Sequence, residues 1–151
     1  MRSIPLILAT LLVSSVAQAG VWNVGSFEND DALDWVSECT QSSSITPVTR
    51  AFETVLQAEY IEAPDGAIAI AAAEAVAAAV GKPSESLPPE LRVWIERQPR
   101  EKLAQLAPTA RKALTRILDP KVSELQQLWS EGDNKKWTAA VAELAARLGA
   151  R

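Results

Sequence analysis

Histidine is absent from this chain, and cysteine occurs once, as Cys39. The first absence excludes Ser-His-Asp and Cys-His catalysis and any zinc site that needs imidazole. The second excludes an intramolecular disulfide, so stability has to come from packing even in an oxidising compartment. Cys39 falls on the apolar side of a predicted helix and reads as a small buried hydrophobe rather than a reactive thiol. Sustained strand alternation is missing, and so is a detectable internal repeat. Basic charge is not in surplus either: 15 Lys and Arg stand against 19 Asp and Glu. Nucleic acid is therefore not an expected partner, because nothing is left over to neutralise phosphates.

The N-terminus is what the chain does have. Residues 1–19 carry one positive charge at Arg2, an apolar run from Ile4 to Val16, and the small-x-small ending Ala17-Gln18-Ala19. That is the order of a bacterial secretory signal peptide, with cleavage expected between Ala19 and Gly20. The run is well under the roughly 20 apolar residues that a span needs, and Ser14 and Ser15 interrupt its end. No cysteine follows it closely, so a lipid anchor is not expected. The expected organisation is a signal peptide over 1–19 and one domain over 20–151, periplasmic or secreted. No membrane span is expected after cleavage: the most apolar later stretch, Ile68 to Val80, is alanine-rich and contains Glu74.

Without Arg2 the net charge is −5, unevenly spread. Gly20 to Gly81 holds ten acidic residues against Arg50 alone (−9), and Lys82 to Arg151 holds nine acidic against thirteen basic (+4). Such halves either steer a charged partner or pair internally, and internal pairing is the default expectation.

Helix signals recur along the chain. Asn29, Asp30 and Asp31 mark a start, followed by Ala32, Trp35, Val36 and Cys39 at i, i+3, i+4, i+7. Thr46 and Pro47 read as N-cap and first-turn proline of a second helix, with Val48, Phe52, Val55 and Leu56 inward. Pro64-Asp65-Gly66 reads as a turn before a third helix over Ala67 to Val80, closed by Gly81. Small apolar residues on nearly every side of that helix predict a central position. Pro88 and Pro89 open a fourth segment with Leu91, Trp94 and Ile95, which Pro99 ends; Leu103 and Leu106 suggest a further turn or two. Segments from about Pro108 to Leu118, Pro120 to Ser130 and Asn134 to Leu148 follow, the last with Val141, Leu144, Ala145 and Leu148 in one stripe. The expected fold is all-α, a single compact domain of about six or seven helices around the alanine-rich one.

Chemistry-bearing clusters are few. Glu28, Asp30, Asp31 and Asp34, with Asn29 among them, are the densest oxygen cluster and the weak metal candidates, but their spacing does not fit a calcium loop and helix capping accounts for them better. Glu59, Glu62 and Asp65 near Tyr60 are a candidate acid-base group with no sign of burial. Leu125, Leu128 and Trp129 share a helical face, for which core packing is the default and a partner groove the alternative. Five tryptophans (Trp22, Trp35, Trp94, Trp129 and Trp137) suit core anchoring and, in part, an interface.

Taken together, certain residues resemble a bacterial family catalogued as domain of unknown function 4259. They are Gly20, Trp22, Gly25, Phe27, Asn29, Asp30, Ala32 and Asp34; Tyr60-Ile61-Glu62-Ala63-Pro64 with Gly66 and, further on, Glu74; and Ser123-Glu124-Leu125 with Leu128, Trp129 and Trp137. The resemblance runs from Gly20 to about Leu148. Members usually start with the Gly-x-Trp segment at the initiator methionine, whereas here a signal peptide precedes it, which supports cleavage after Ala19. Asn23 and Ser26 depart from the family's glycine and small residue in the entry loop. The family carries no established catalytic residues, so the resemblance transfers none, and no cofactor is expected. Function stays open between three readings: a non-enzymatic exported interaction module of the inhibitor or immunity type, whose partner would be another periplasmic or secreted protein; a carboxylate- or metal-dependent hydrolase; and a structural envelope protein.

Overall fold

A helix in which ten of seventeen residues are alanine has high helix propensity and few large side chains to hold its neighbours away. That helix is the axis of the computed structural model, which describes residues 24–132 and 134–149. The expected signal peptide, Gly20 and Trp22 lie outside the described residues. The elements are α1 (Asp30–Gln41), α2 (Thr46–Gln57), α3 (Ala63–Ala79), α4 (Pro89–Glu96), α5 (Arg100–Ala104), α6 (Ala107–Ile117), α7 (Glu124–Ser130) and α8 (Asn134–Arg147). The fold is all-α, and among the described residues pairing of the β type is confined to one isolated parallel bridge, Ile61 with Ser123. α3 packs against every other helix, and Ala69, Ala71, Ala72, Ala73, Ala75 and Ala77 are fully enclosed.

Both ends of α3 are finished by side chains from remote parts of the chain. At its start Glu62 makes no side-chain cap bond. Instead the Ala63 N–H donates to Glu124 Oε2 at 2.7 Å, which sets a carboxylate at the positive end of the helix dipole. At its end Gly81 turns the chain at φ +86°, the left-handed region where a Cβ is penalised. There Arg100 Nε donates to the Ala79 carbonyl at 2.8 Å. Arg116 does the same for α2, donating to the carbonyls of Val55 and Ala58, and Arg111 donates to those of Leu148 and Gly149 beyond α8. Part of the basic half thus serves to neutralise helix ends of the acidic half.

Two tryptophans anchor the α1–α2 connection and the first turn of α2. Trp35 Nε1 donates to the Pro47 carbonyl at 3.2 Å and Trp94 Nε1 to that of Ser42 at 2.9 Å, so each indole buries its ring and still satisfies its N–H. Cys39 is fully buried, and loss of solvation pushes its thiol up to about 12.

The structure moves several expected boundaries. Thr46 is the first residue of α2, and its cap is Ile45; the Thr46 hydroxyl instead accepts from Ser44 Oγ at 2.9 Å. Pro64-Asp65-Gly66 is the first turn of α3 rather than a turn before it, because an early helical position has no use for the N–H that proline lacks. α7 starts at Glu124 and not at Pro120; residues 120–123 turn so that Ser123 pairs with Ile61. Of the shared face on α7, Leu125 is in the core and Trp129 half-buried, but Leu128 stands 45% exposed.

Candidate functional site

The family motifs, dispersed in sequence, converge on one corner where α3, α7, α8 and the entry loop meet. Each residue of Ser123-Glu124-Leu125 has a separate task there. The Ser123 hydroxyl accepts from Gln126 N–H at 3.2 Å and caps α7. Glu124 caps α3. Leu125 is buried against the first turn of α3, where a Cβ on Gly66 would meet Leu125 Cδ2 at 3.4 Å. Alanine would fit at contact distance, and any longer side chain would run into Leu125. The Ile61 N–H donates to the Val122 carbonyl at 2.7 Å and the Glu124 N–H to that of Ile61 at 3.0 Å. Tyr60-Ile61-Glu62 and Ser123-Glu124-Leu125 are therefore two halves of one clamp.

The entry loop is tied to the same corner through a buried ion pair. Glu74, only 3% exposed in the middle of α3, accepts from both Arg147 terminal nitrogens, Nη1 to Oε2 at 2.8 Å and Nη2 to Oε1 at 3.0 Å. Ser26 Oγ donates to Glu74 Oε1 at 2.8 Å, and Arg147 Nε donates to Glu143 Oε1 at 2.7 Å. The fork geometry is the strong form of this interaction. The Arg147 guanidinium titrates above its ordinary range, chiefly through the Glu74 bond, with burial opposing and Glu143 assisting. The pair joins the acidic half to the basic half. Ser26, a departure from the family pattern, thus fixes the loop with a bond that its hydroxyl makes possible. Gly25 N–H donates to Glu28 Oε2 at 2.9 Å, Phe27 is buried, and Asn29 Oδ1 accepts from Ala32 N–H at 2.8 Å to cap α1.

Trp129 and Trp137 close the corner as a parallel stack, 5.9 Å between ring centres and 8° between planes. The recess they share with Gly25, Asn29 and Leu125 holds about 20 Å³, room for about one water. Nothing of substrate size enters it. The surface beside it is different. Tyr60 is 47% exposed and Leu128 45%. Tyr60 Oη donates to Gln127 Oε1 at 2.9 Å, and Gln127 Nε2 donates to the Pro120 carbonyl at 2.8 Å. Gln127, held from both ends, ties the exposed ring of Tyr60 to α7, the helix that also carries the exposed Leu128, while Ile61, Ser123 and Leu125 are fully buried.

The weak metal candidates are not assembled into a site. Glu28 is exposed and folds back on Gly25, Asp30 and Asp31 lie in the first turn of α1, and exposed Asp34 follows a turn later. Among the described residues no three Cys, Asp or Glu side chains are arranged to hold a metal ion. Glu59 and Glu62 are exposed, while Asp65 faces another recess with Trp35, Glu38 and Arg50. Sequence reasoning missed Ser26, Arg147 and Gln127. Ser26 left a trace as a departure from the family pattern and Arg147 as the i, i+4 partner of Glu143, whereas Gln127 left none.

These features define a small helical domain whose motifs are spent on one clamped corner. A family model described as a domain of unknown function (DUF4259) matches residues 20–140, and the chain belongs to that family. No curated protein matches the chain, and no solved structure does. Among the described residues no helix is long and apolar enough to cross a membrane.

Proposed function

We propose that this chain is an exported, non-enzymatic protein-binding module, an inhibitor or immunity-type binder of another periplasmic or secreted protein, and that its partner docks on the face of Tyr60, Gln127 and Leu128. The observation that carries this reading is the exposure of Tyr60 and Leu128, each nearly half open, on segments whose Ile61, Ser123 and Leu125 are fully buried. Tyrosine is among the residues enriched at interface hot spots, Leu128 adds exposed apolar area on the helix that holds it, and a ring held in place lowers the ordering cost of binding. Leu33 and Val93 are equally exposed, but they lie on faces of α1 and α4 that are otherwise polar. The exposed Glu59 and Glu62 beside Tyr60 favour a partner whose rim is basic. Export rests on the order of residues 1–19.

The test is recovery of the tagged protein from the envelope fraction of its host. One stoichiometric protein partner is expected with the parent sequence. Its loss is expected with Tyr60→Ala/Leu128→Ala, because two hot-spot truncations at about 2 kcal/mol each weaken binding by roughly a thousandfold. Tyr60→Ala gives up one exposed hydrogen bond, to Gln127, and Leu128 is exposed, so the variant should stay within about 1 kcal/mol of the parent sequence in stability. Recovery of no partner, or equal recovery by the variant, overturns the reading.

A further inference from the structure

At the opposite end of α3 from the Ser123-Glu124-Leu125 clamp, the C-terminal residues of that helix and α4 line a groove of about 380 Å³. At roughly 30 Å³ per water it holds on the order of a dozen waters, or a ligand of about ten heavy atoms. Its apolar wall comes from Ala78, Ala79, Leu87 and Ile95, and its charged groups are Arg92, Arg100 and Glu96. Nε of Arg100 is committed to the Ala79 carbonyl. That bond aims the rest of the guanidinium fork along the groove beside Gly81, where a Cβ would lie 3.4 Å from Nη2. The fork's terminal nitrogens make no bond to the described residues. Arg92 makes none either, and it forms no ion pair with Glu96 one turn away, although the spacing would suit one.

From this arrangement we propose that the groove is a binding site for a small amphipathic carboxylate, with its apolar body on Ala79, Leu87 and Ile95 and its carboxylate on the forks of Arg92 and Arg100. Two guanidiniums and one carboxylate leave a single positive charge to neutralise, which fits a monoanion and not a dianionic phosphate monoester. A planar fork whose donors are pre-aimed is the side chain that recognises a carboxylate bidentately, and an apolar cleft with few convergent polar groups is the usual form of a small-molecule site.

The test is isothermal titration of the purified protein with three probes of equal chain length, octanoate, octan-1-ol and octyl phosphate, below their micellar concentrations and at constant ionic strength. Saturable binding of octanoate at one site is expected, at least tenfold tighter than octanol or octyl phosphate. Arg92→Gln should weaken octanoate about tenfold to a hundredfold, the range for a lost charge-assisted hydrogen bond, and leave octanol unchanged. Arg100→Gln should do the same but also removes a helix cap, so Arg92→Gln, which breaks no bond within the protein, carries the decision if the former unfolds. No octanoate binding, octanol binding as tightly, octyl phosphate binding more tightly, or indifference to Arg92→Gln overturns the proposal.

Discussion

Replacing Arg147 by methionine would leave Glu74 as a carboxylate 3% exposed, with the Ser26 hydroxyl at 2.8 Å as its remaining partner. Breaking a buried pair by removing one partner costs about 3–5 kcal/mol. The Arg147 side chain is itself 17% exposed, so water reaches the vacated position and the lower end, about 3 kcal/mol, applies. For a domain of this size each kcal/mol moves the melting temperature by roughly 3–5 °C, so a fall of about 10–15 °C is expected. Urea unfolding should show a lower midpoint with an unchanged slope, since the surface exposed on unfolding stays the same. The double variant Glu74→Leu/Arg147→Met separates stranded charge from lost packing, because an apolar pair of similar volume is often neutral or better. It should return to within about 1 kcal/mol of the parent sequence. A cost below about 1 kcal/mol for Arg147→Met, or a double variant as unstable as the single one, would refute the reasoning.

Other consequences follow from the helix ends and the core. Glu124→Ala removes the remote cap of α3 and should cost about 1–2 kcal/mol in urea unfolding, with Glu124→Gln losing less because an acceptor oxygen remains. Gly81→Ala forces a Cβ into a left-handed conformation and should cost about 1–2 kcal/mol, read from the melting temperature. Cys39 gives a pH dependence. Its thiol titrates near an ordinary 9.0 when unfolded and about 12 when folded. Between those values the unfolded chain binds fewer protons, so the contribution is whole below pH 9 and declines as pH rises toward 12. Cys39→Val should remove that component of the alkaline loss, measured as the difference between the two stability profiles. The thiol should also resist alkylation until the chain unfolds.

Helices whose signals are local were legible from residues alone. Ala32, Trp35, Val36 and Cys39 repeat at helical spacing and are all buried. The alanine run predicted the central helix because small side chains on all sides leave a helix no face for water. Errors arose where one residue type serves two purposes. Proline and glycine at 64 and 66 punctuate turns, yet they also suit a helix start that another helix approaches closely. Leu128 has the period of a core residue and is exposed all the same, because α7 is only seven residues long and turns a narrow face inward. The caps supplied by Glu124, Arg100 and Arg116 come from 61, 21 and up to 61 residues away, beyond any local pattern. The candidate site was legible as motifs and illegible as a surface. Only the fold puts Gln127 under Tyr60.

The central claim, that the face of Tyr60 and Leu128 receives a protein partner, is tested most directly by a photocrosslinking amino acid placed at position 128 in the living host, with the equally exposed position 93 on α4 as control. The account predicts one crosslinked protein from position 128, lost on Tyr60→Ala, and none from position 93. No adduct at 128, or the same adducts from both positions, would contradict it.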